Sequence, residues 1–176
     1  MVEKSLSLDF KLLTLLTLTP PDKTNHMPPL REQIKKIPEV VNRLFEKKYE
    51  LGVRDCLTLI IDFFDGIGID IPRKAAEKGF NGVTLSNYQE KWEMGECRED
   101  YLPFLETFTR EIEPEQILPG DILIFEGPEL DFWGIYLGFG NCIVCMEDWG
   151  ARVMPAKVFK TKEIRRTKEW AAKRAA

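Results

Sequence analysis

A run of apolar residues that begins directly after Cys56 constrains this 176-residue chain more than any other feature. The run extends from Leu57 to Phe64 and is apolar on nearly every side of a helix, whereas a surface helix would show a single apolar stripe. It therefore predicts a central helix that is buried all round. Asp55 is a suitable N-cap residue, and Gly66 is a suitable C-cap residue. Cys56 is then expected in the first helical turn, where unpaired N–H groups and the helix dipole favour a thiolate.

The length and composition of the chain indicate one soluble globular domain with terminal extensions. Its 176 residues can bury one substantial core, and an apolar fraction of 44% is that of a folded protein. Residues 12–18 combine leucine and threonine in near alternation, which predicts a strand, and no cleavage site of a signal peptide follows them. No segment approaches the ~20 apolar residues of a membrane-spanning helix. The sequence therefore predicts a soluble protein without a signal peptide, located in the cytoplasm or incorporated into a larger assembly.

Charge is distributed unevenly along the chain. Residues 157–176 carry a net charge of +6, whereas residues 1–156 carry −10. We predict a basic C-terminal helix or tail over residues 157–176, which is either solvated or in contact with an acidic surface. No motif of a nucleic-acid-binding domain accompanies these basic residues, so we expect no nucleic-acid partner.

The four cysteines indicate neither a disulfide framework nor a metal site. Disulfides are not expected in a chain of this length without a signal peptide. Cys142 and Cys145 form a C-x-x-C motif, but they lie in an apolar run that predicts a buried strand, where residues three apart point to opposite faces. The only histidine is His26, in a proline-flanked loop, and a second pair of ligands is missing. We therefore expect no metal and no cofactor.

The chain divides into an N-terminal segment, a main domain and the basic tail. Residues 1–29 hold the predicted strand and a proline-rich loop, and residues 30–156 hold the main domain. Apolar residues at helical spacing predict a helix near residues 30–45, which Pro38 either kinks or divides. Residues 73–116 predict short helices rich in aromatic residues, which either pack in the core or form one wall of a cleft.

Residues 117–153 predict strands joined by short turns. Apolar segments at residues 122–125, 132–138 and 142–147 are separated by turns and loops rich in glycine and proline. Consecutive strands with short connections favour an antiparallel meander. Helices followed by a small antiparallel sheet predict an α+β domain, in which the helix that carries Cys56 packs on the sheet.

Three motifs in this order resemble the NlpC/P60 superfamily of papain-like cysteine peptidases. They are D-C-L-T-L-I-I-D-F-F followed by G-I-D-I-P, then L-P-G-D-I-L-I-F, and finally W-G-I-Y-L-G-F-G-N. In that family a cysteine begins a buried helix packed on a sheet, and the later motifs supply successive strands. The segment G-V-R-D-C and the aromatic region near Trp92 and Tyr101 most resemble the NlpC/P60 domains of bacteriophage tail-tip proteins. The resemblance covers roughly Tyr49 to Val153 and implies a papain-like fold.

The resemblance assigns family roles to three residues of this chain. Cys56 matches the nucleophile. The catalytic histidine of the family's H-V-G-I-Y-L motif matches Phe132, and the third polar residue, on the next strand, falls near Cys145. Neither side chain can act as an imidazole base or orient one. Because papain-like enzymes use the paired histidine to lower the thiol pKa and to protonate the leaving amine, the resemblance implies a catalytically degenerate domain.

This interpretation leaves two classes of function open. The first is a structural or interaction role, in which the protein has partners in a phage-like tail tip, and is then incorporated into a virion tail, or in another assembly that contacts the cell wall. A further possibility within this non-enzymatic class is a carbohydrate or peptide binder that uses the old cleft without turnover. The second is a cysteine hydrolase or acyltransferase that acts on peptidoglycan-type peptides, with Cys56 activated by Asp131, Glu147 or Asp148. Asp131 adjoins Phe132 and is therefore expected to face the other side of the strand.

Overall fold

The computed structural model describes residues 30–96 and 101–168 of the chain. The predicted N-terminal strand, His26 and Cys97 lie outside the described residues, as do the last eight residues of the basic tail. The helices are α1 (Leu30–Leu44), α2 (Cys56–Ile67), α3 (Ile71–Lys78), α4 (Tyr88–Glu93) and α5 (Tyr101–Phe108). The strands are β1 (Thr109–Glu111), β2 (Ile122–Phe125), β3 (Phe132–Gly138), β4 (Asn141–Met146), β5 (Gly150–Pro155) and β6 (Thr161–Thr167).

The strands in the described part of the chain form one antiparallel sheet in the order β1-β6-β2-β3-β4-β5. The helices precede the strands along the chain, which confirms the predicted α+β class. The meander of β2, β3 and β4 lies where the apolar segments predict it, and β5 extends it by one strand. α1 continues through Pro38 as one helix. Within the described residues, no helix has the length and apolar character needed to cross a membrane.

The prediction of a helix or tail over residues 157–176 is wrong for its described part. β6 lies between β1 and β2, as the second strand from one edge of the sheet. A basic segment can occupy this position because its guanidinium groups are neutralised inside the protein. The Arg166 side chain is 4% exposed and donates two hydrogen bonds of 2.7 Å to the Asp121 carboxylate. The Arg165 side chain donates to the Thr109 hydroxyl and to Glu163.

α2 is the buried helix that the apolar run predicts. Its N-terminus carries a capping box, in which the Asp55 carboxylate accepts from the backbone N–H of Thr58 and the Thr58 hydroxyl accepts from the N–H of Asp55. The predicted C-cap at Gly66 is wrong, because Gly68, with φ of +86°, ends the helix. Gly66 instead allows α1 to approach closely, since a Cβ there would lie 2.6 Å from the Val40 side chain.

Both faces of the sheet are buried, and they pack against different side chains. The face toward the helices carries Trp133, Ile135 and Cys145, which belong to the main core with α1 and α2. The opposite face carries Phe132 and Cys142, which belong to a second apolar cluster. Cys142 and Cys145 therefore lie on opposite faces, as the strand pattern predicts.

Candidate functional site

Cys56 is the first residue of α2 and lies partly buried at one side of a cleft. A tight turn delivers the chain to this position, with the backbone N–H of Arg54 donating to the carbonyl of Glu50 at 2.6 Å. The Asp55 carboxylate fixes the same turn by accepting from the N–H of Gly52 at 2.7 Å. The turn and the helix cap together fix Cys56 as one of the residues that line the cleft.

The environment of Cys56 disfavours the thiolate. Burial raises the pKa of the Cys56 thiol to about 12, and the negative charge of Asp55 adds to the rise. Backbone hydrogen bonds from Trp133 and from Cys56 itself act in the opposite direction but do not offset the loss of water. The helix N-terminus therefore acts in the predicted direction but does not leave a thiolate. Desolvation outweighs the dipole, and the group is a neutral thiol near pH 7.

The cleft beside Cys56 is lined mainly by apolar and aromatic side chains. The space that it encloses is continuous with open solvent, and together they amount to about 620 Å³. Its apolar lining residues are Leu57, Ala76, Phe80, Val83, Leu85, Tyr88, Trp92, Phe104 and Trp133. The remaining lining residues are Cys56, Thr84 and Asp131. The region 73–116 thus packs in the core and also forms a wall of the cleft, so both alternatives for its aromatic residues apply.

Phe132 does not face Cys56. Its ring lies 5.2 Å from the ring of Phe125 and 5.1 Å from that of Phe159, in the cluster on the far side of the sheet. Trp133, the next residue, is 3% exposed and lines the cleft together with Cys56. The side chain of β3 that lies beside the thiol is therefore an indole rather than the phenyl ring expected from the motif.

Cys145 lies on the helix face of the sheet, beneath the entrance to α2. Its Sγ donates a hydrogen bond of 3.2 Å to the carbonyl oxygen of Arg54. Burial raises the pKa of the Cys145 thiol to about 11, and Asp55 adds to the rise. The structure thus brings Cys145 to the N-terminus of the nucleophile helix, on the side away from the cleft, as a neutral side chain.

Asp131 lines the cleft, whereas Glu147 and Asp148 do not. The Asp131 side chain is 13% exposed and accepts a hydrogen bond of 2.6 Å from the Lys162 ammonium. Asp131 and Phe132 point to opposite sides of the strand, as expected. Asp131, however, is the one that faces the cleft, whereas Phe132 points away from α2. Glu147 and Asp148 lie exposed in the turn between β4 and β5. Of the three carboxylates considered from the sequence, only Asp131 shares a cavity with Cys56.

Trp133 is not identifiable as a site residue from the sequence because β3 is apolar on both faces. Phe132 and Trp133 are both large aromatic residues, so their alternation does not reveal which one faces the helix. The signal that could have distinguished them is Asp131, which needs solvent or a countercharge. Because residues two apart share a face of a strand, Trp133 is expected on the same side as Asp131. Among the described residues, no cluster of histidine, cysteine, aspartate or glutamate is suited to hold a metal ion.

Residues 46–164 match the model of the NlpC/P60 family. The chain belongs to the NlpC/P60 family. Among solved structures it is similar to NlpC1 from Trichomonas vaginalis, with a TM-score of 0.50 and 20% identity over 77% of this chain and 44% of that protein. It also matches the NlpC/p60 domain of the peptidoglycan hydrolase SagA, with a TM-score of 0.41 and 17% identity over 74% of this chain and 96% of that domain. No curated protein sequence is significantly similar to the chain.

The family match and the sheet topology establish the papain-like NlpC/P60 fold. The match begins just before the turn that delivers Cys56 and ends within β6. It therefore includes the first part of β6, within the segment that the sequence predicted to be a basic tail. The chain spans less than half the length of the Trichomonas protein.

Proposed function

We propose that this NlpC/P60 domain binds a ligand or partner in its cleft and does not hydrolyse amides by the papain-like route. The observation that supports this proposal is the environment of Cys56. Its thiol lies beside Trp133 in an apolar cleft, where burial raises its pKa to about 12. At pH 7, a thiol with that pKa is ionised in only on the order of one molecule in 10⁵.

The chemistry of amide hydrolysis explains why this environment matters. The thiolate must attack the carbonyl, and a positioned acid must then protonate the leaving amine. In papain-like enzymes one imidazole serves both steps, and loss of the base can cost on the order of 10⁶ in rate. The chain has one histidine, His26, which lies outside the described residues. Under this proposal Phe132 occupies the family's histidine position in the sequence, although its ring faces away from Cys56, and the third polar residue falls near Cys145.

The role we propose for the domain is interaction within an assembly that contacts the cell wall, such as a phage-like tail tip. This part of the proposal rests on the resemblance of the G-V-R-D-C segment and of the aromatic region. One structural feature supports this role: aromatic residues of the region 73–116 line a cleft that is open to solvent and accessible to a cell-wall peptide or another ligand. Co-sedimentation of the purified protein with cell walls tests the role, and a protein that stays entirely in the supernatant would contradict it.

The pH dependence of alkylation tests the proposed inactivity of Cys56. We expect iodoacetamide to modify Cys56 at a rate that increases about tenfold per pH unit from pH 7 to pH 10, because the thiolate fraction increases in that proportion. Peptide mapping by mass spectrometry measures the rate at this residue, and Cys56→Ser supplies the background. A rate that is already maximal below pH 8 would show a thiol activated for catalysis.

A direct assay for hydrolysis complements the alkylation experiment. We expect purified cell walls to release no amino groups on incubation with the protein beyond the level seen with Cys56→Ala. Release that Cys56→Ala abolishes would establish a cysteine hydrolase and would overturn the proposed binding role.

A second candidate function is hydrolysis by Cys56 with Asp131 in place of the histidine. One observation favours it, namely that both residues line the same cleft. In that case Asp131→Asn would abolish turnover of cell-wall peptides, whereas Glu126→Gln, which removes a comparable carboxylate paired with Lys160 at the surface, would leave turnover unchanged. Equal and negligible rates for the parent and both variants exclude this candidate for such substrates.

A further inference from the structure

The cleft is lined by several aromatic side chains and by one carboxylate among the described residues. Holding a cysteine in position for nucleophilic attack does not require such a lining. Its aromatic lining residues are Phe80, Tyr88, Trp92, Phe104 and Trp133. The rings of Tyr88 and Trp92 lie 5.8 Å apart and are tilted, so they form a corner rather than a flat stack. The carboxylate among the described lining residues is that of Asp131, whose side chain is 13% exposed.

Aromatic rings and a carboxylate both favour a cation. The face of an aromatic ring carries partial negative charge and attracts a cation within about 6 Å, most strongly when both are removed from water. The Asp131 carboxylate adds a full negative charge at the same cavity. An anionic ligand would be repelled by Asp131, and none of the described residues that line the cleft is basic.

Because the cleft offers few polar groups, it distinguishes a primary ammonium from a quaternary ammonium. A primary ammonium carries three N–H donors and is strongly hydrated, so an apolar cleft would leave donors unsatisfied. A quaternary ammonium has no N–H donor and presents only methyl groups to the rings. We propose that the cleft binds a small molecule that carries a trimethylammonium group, with the aromatic rings against its methyl groups and Asp131 balancing its charge. This assignment rests on the proposed binding role of the cleft and names the ligand for it.

Lys162 places a positive charge next to Asp131 and so affects how strongly a cation can bind. Its ammonium donates to Asp131 at 2.6 Å, while half of its side chain is exposed. Because the lysine half of this ion pair is solvated, separating the pair costs little, and the lysine can turn toward solvent when a ligand enters. Its positive charge nevertheless opposes a bound cation, so removing that charge should strengthen cation binding.

The test compares choline with 3,3-dimethylbutan-1-ol, a neutral molecule of the same shape. Titration calorimetry at matched ionic strength measures the affinity of the intact chain for each compound. We expect choline to bind at least about tenfold more tightly, because only choline gains from the rings and the carboxylate. Equal affinities, or no binding of choline, would overturn the proposal.

Three variants locate the binding and test its charge dependence. Asp131→Asn should weaken choline binding about tenfold and leave the affinity for the neutral alcohol unchanged. Glu126→Gln is the matched control, since it removes a carboxylate from the exposed pair with Lys160 and does not touch the cleft. Lys162→Gln should strengthen choline binding about threefold, and it keeps the proposal testable if Asp131→Asn fails to fold. A weaker affinity in Lys162→Gln, or an unchanged one in a folded Asp131→Asn, would contradict it.

Vesicles distinguish the two sources of a trimethylammonium group. Co-sedimentation with phosphatidylcholine vesicles but not with phosphatidylglycerol vesicles, reversed by free choline, would assign the site to a lipid headgroup. Choline binding without vesicle binding would assign it to a free small molecule. The cell-wall hydrolysis assay separates this inference from the proposed function. If the protein binds choline and also hydrolyses cell walls, only the proposed inactivity is refuted. If it neither binds choline nor hydrolyses cell walls, only the trimethylammonium ligand is refuted.

Discussion

Trp133 and Phe132 are neighbours in β3, yet they lie in different environments. Trp133 is buried beside Cys56 at the cleft, and its backbone contributes a hydrogen bond to the thiol. Phe132 packs against the rings of Phe125 and Phe159, which also contact each other, on the other face of the sheet. A base introduced at position 133 would therefore lie next to Cys56, whereas one introduced at position 132 would not.

The first prediction concerns an imidazole introduced at each of these two positions. Trp133→His should lower the pKa of Cys56, because an imidazolium near the thiolate favours the charged form. Phe132→His should leave that pKa unchanged, because its side chain lies on the opposite face. The pH dependence of alkylation at Cys56 measures both effects in variants that circular dichroism shows to be folded. A lower pKa in Phe132→His alone would show that the motif, and not the observed strand orientation, identifies the family position.

Among the elements, α2 depends on its N-terminal cap more than on its helix propensity. The helix contains four β-branched residues and a glycine, which are poor helix formers, so packing and capping must hold it. Asp55 is 1% exposed and accepts hydrogen bonds from Thr58 and Gly52, so it closes both the helix and the turn before it. Cys56 is positioned by the same residue.

The second prediction compares two aspartates at helix N-termini. Asp55→Ala should lower the free energy of unfolding by about 2 kcal/mol, because it removes a cap and leaves a turn N–H without its acceptor. Asp70→Ala is the matched control, since Asp70 precedes α3 but makes no side-chain capping bond, and it should cost less than about 0.5 kcal/mol. Urea denaturation measures both values. Equal costs would show that the capping box contributes nothing specific.

Across the whole molecule, a buried ion pair joins the last strand to the middle of the sheet. The Arg166 guanidinium contacts both oxygens of Asp121, which is fully buried, and also donates to the carbonyl oxygen of Gln116. The Asp121 carboxylate further accepts from the backbone N–H of Leu118. β6 is thereby fixed beside β2 even though its sequence is basic.

The third prediction concerns this ion pair. Arg166→Met should destabilise the fold by about 3 to 5 kcal/mol, because it leaves the Asp121 carboxylate buried without a countercharge. The control is Lys160→Met, which breaks an exposed pair with Glu126 and should cost no more than about 1 kcal/mol. Thermal and urea unfolding compare the two variants. A cost below 1 kcal/mol for Arg166→Met would show that Asp121 is solvated or protonated.

The fourth prediction concerns stability at alkaline pH. Burial raises the pKa of Cys56 to about 12 and that of Cys142 and Cys145 to about 11, compared with 9.0 for an unperturbed thiol. Below pH 9 both states keep these protons, and the stabilisation is fully present. Above pH 9 the unfolded chain loses protons that the folded chain retains, so the free energy of unfolding should fall by up to about 1.4 kcal/mol per pH unit for each group.

Urea unfolding between pH 8 and pH 11 measures this loss. Cys56→Ala should lose less stability over that range than the parent protein, because one of the titrating groups is absent. A stability that stays constant up to pH 11 would show that the thiols are not desolvated in the folded state.

The sequence by itself determined the buried helix, the position of Cys56, the meander of β2 to β4 and the opposite orientation of Cys142 and Cys145. These features depend on local spacing and on ordered motifs, which a linear pattern records. Only the tertiary structure decided which face of β3 meets α2, because Phe132 and Trp133 are both apolar. It also decided that Thr161–Thr167 is a strand, because the charge of Arg166 is neutralised by Asp121, 45 residues away in the chain. The desolvation that keeps Cys56 neutral likewise arises from side chains far apart in sequence, which a local helix dipole does not predict.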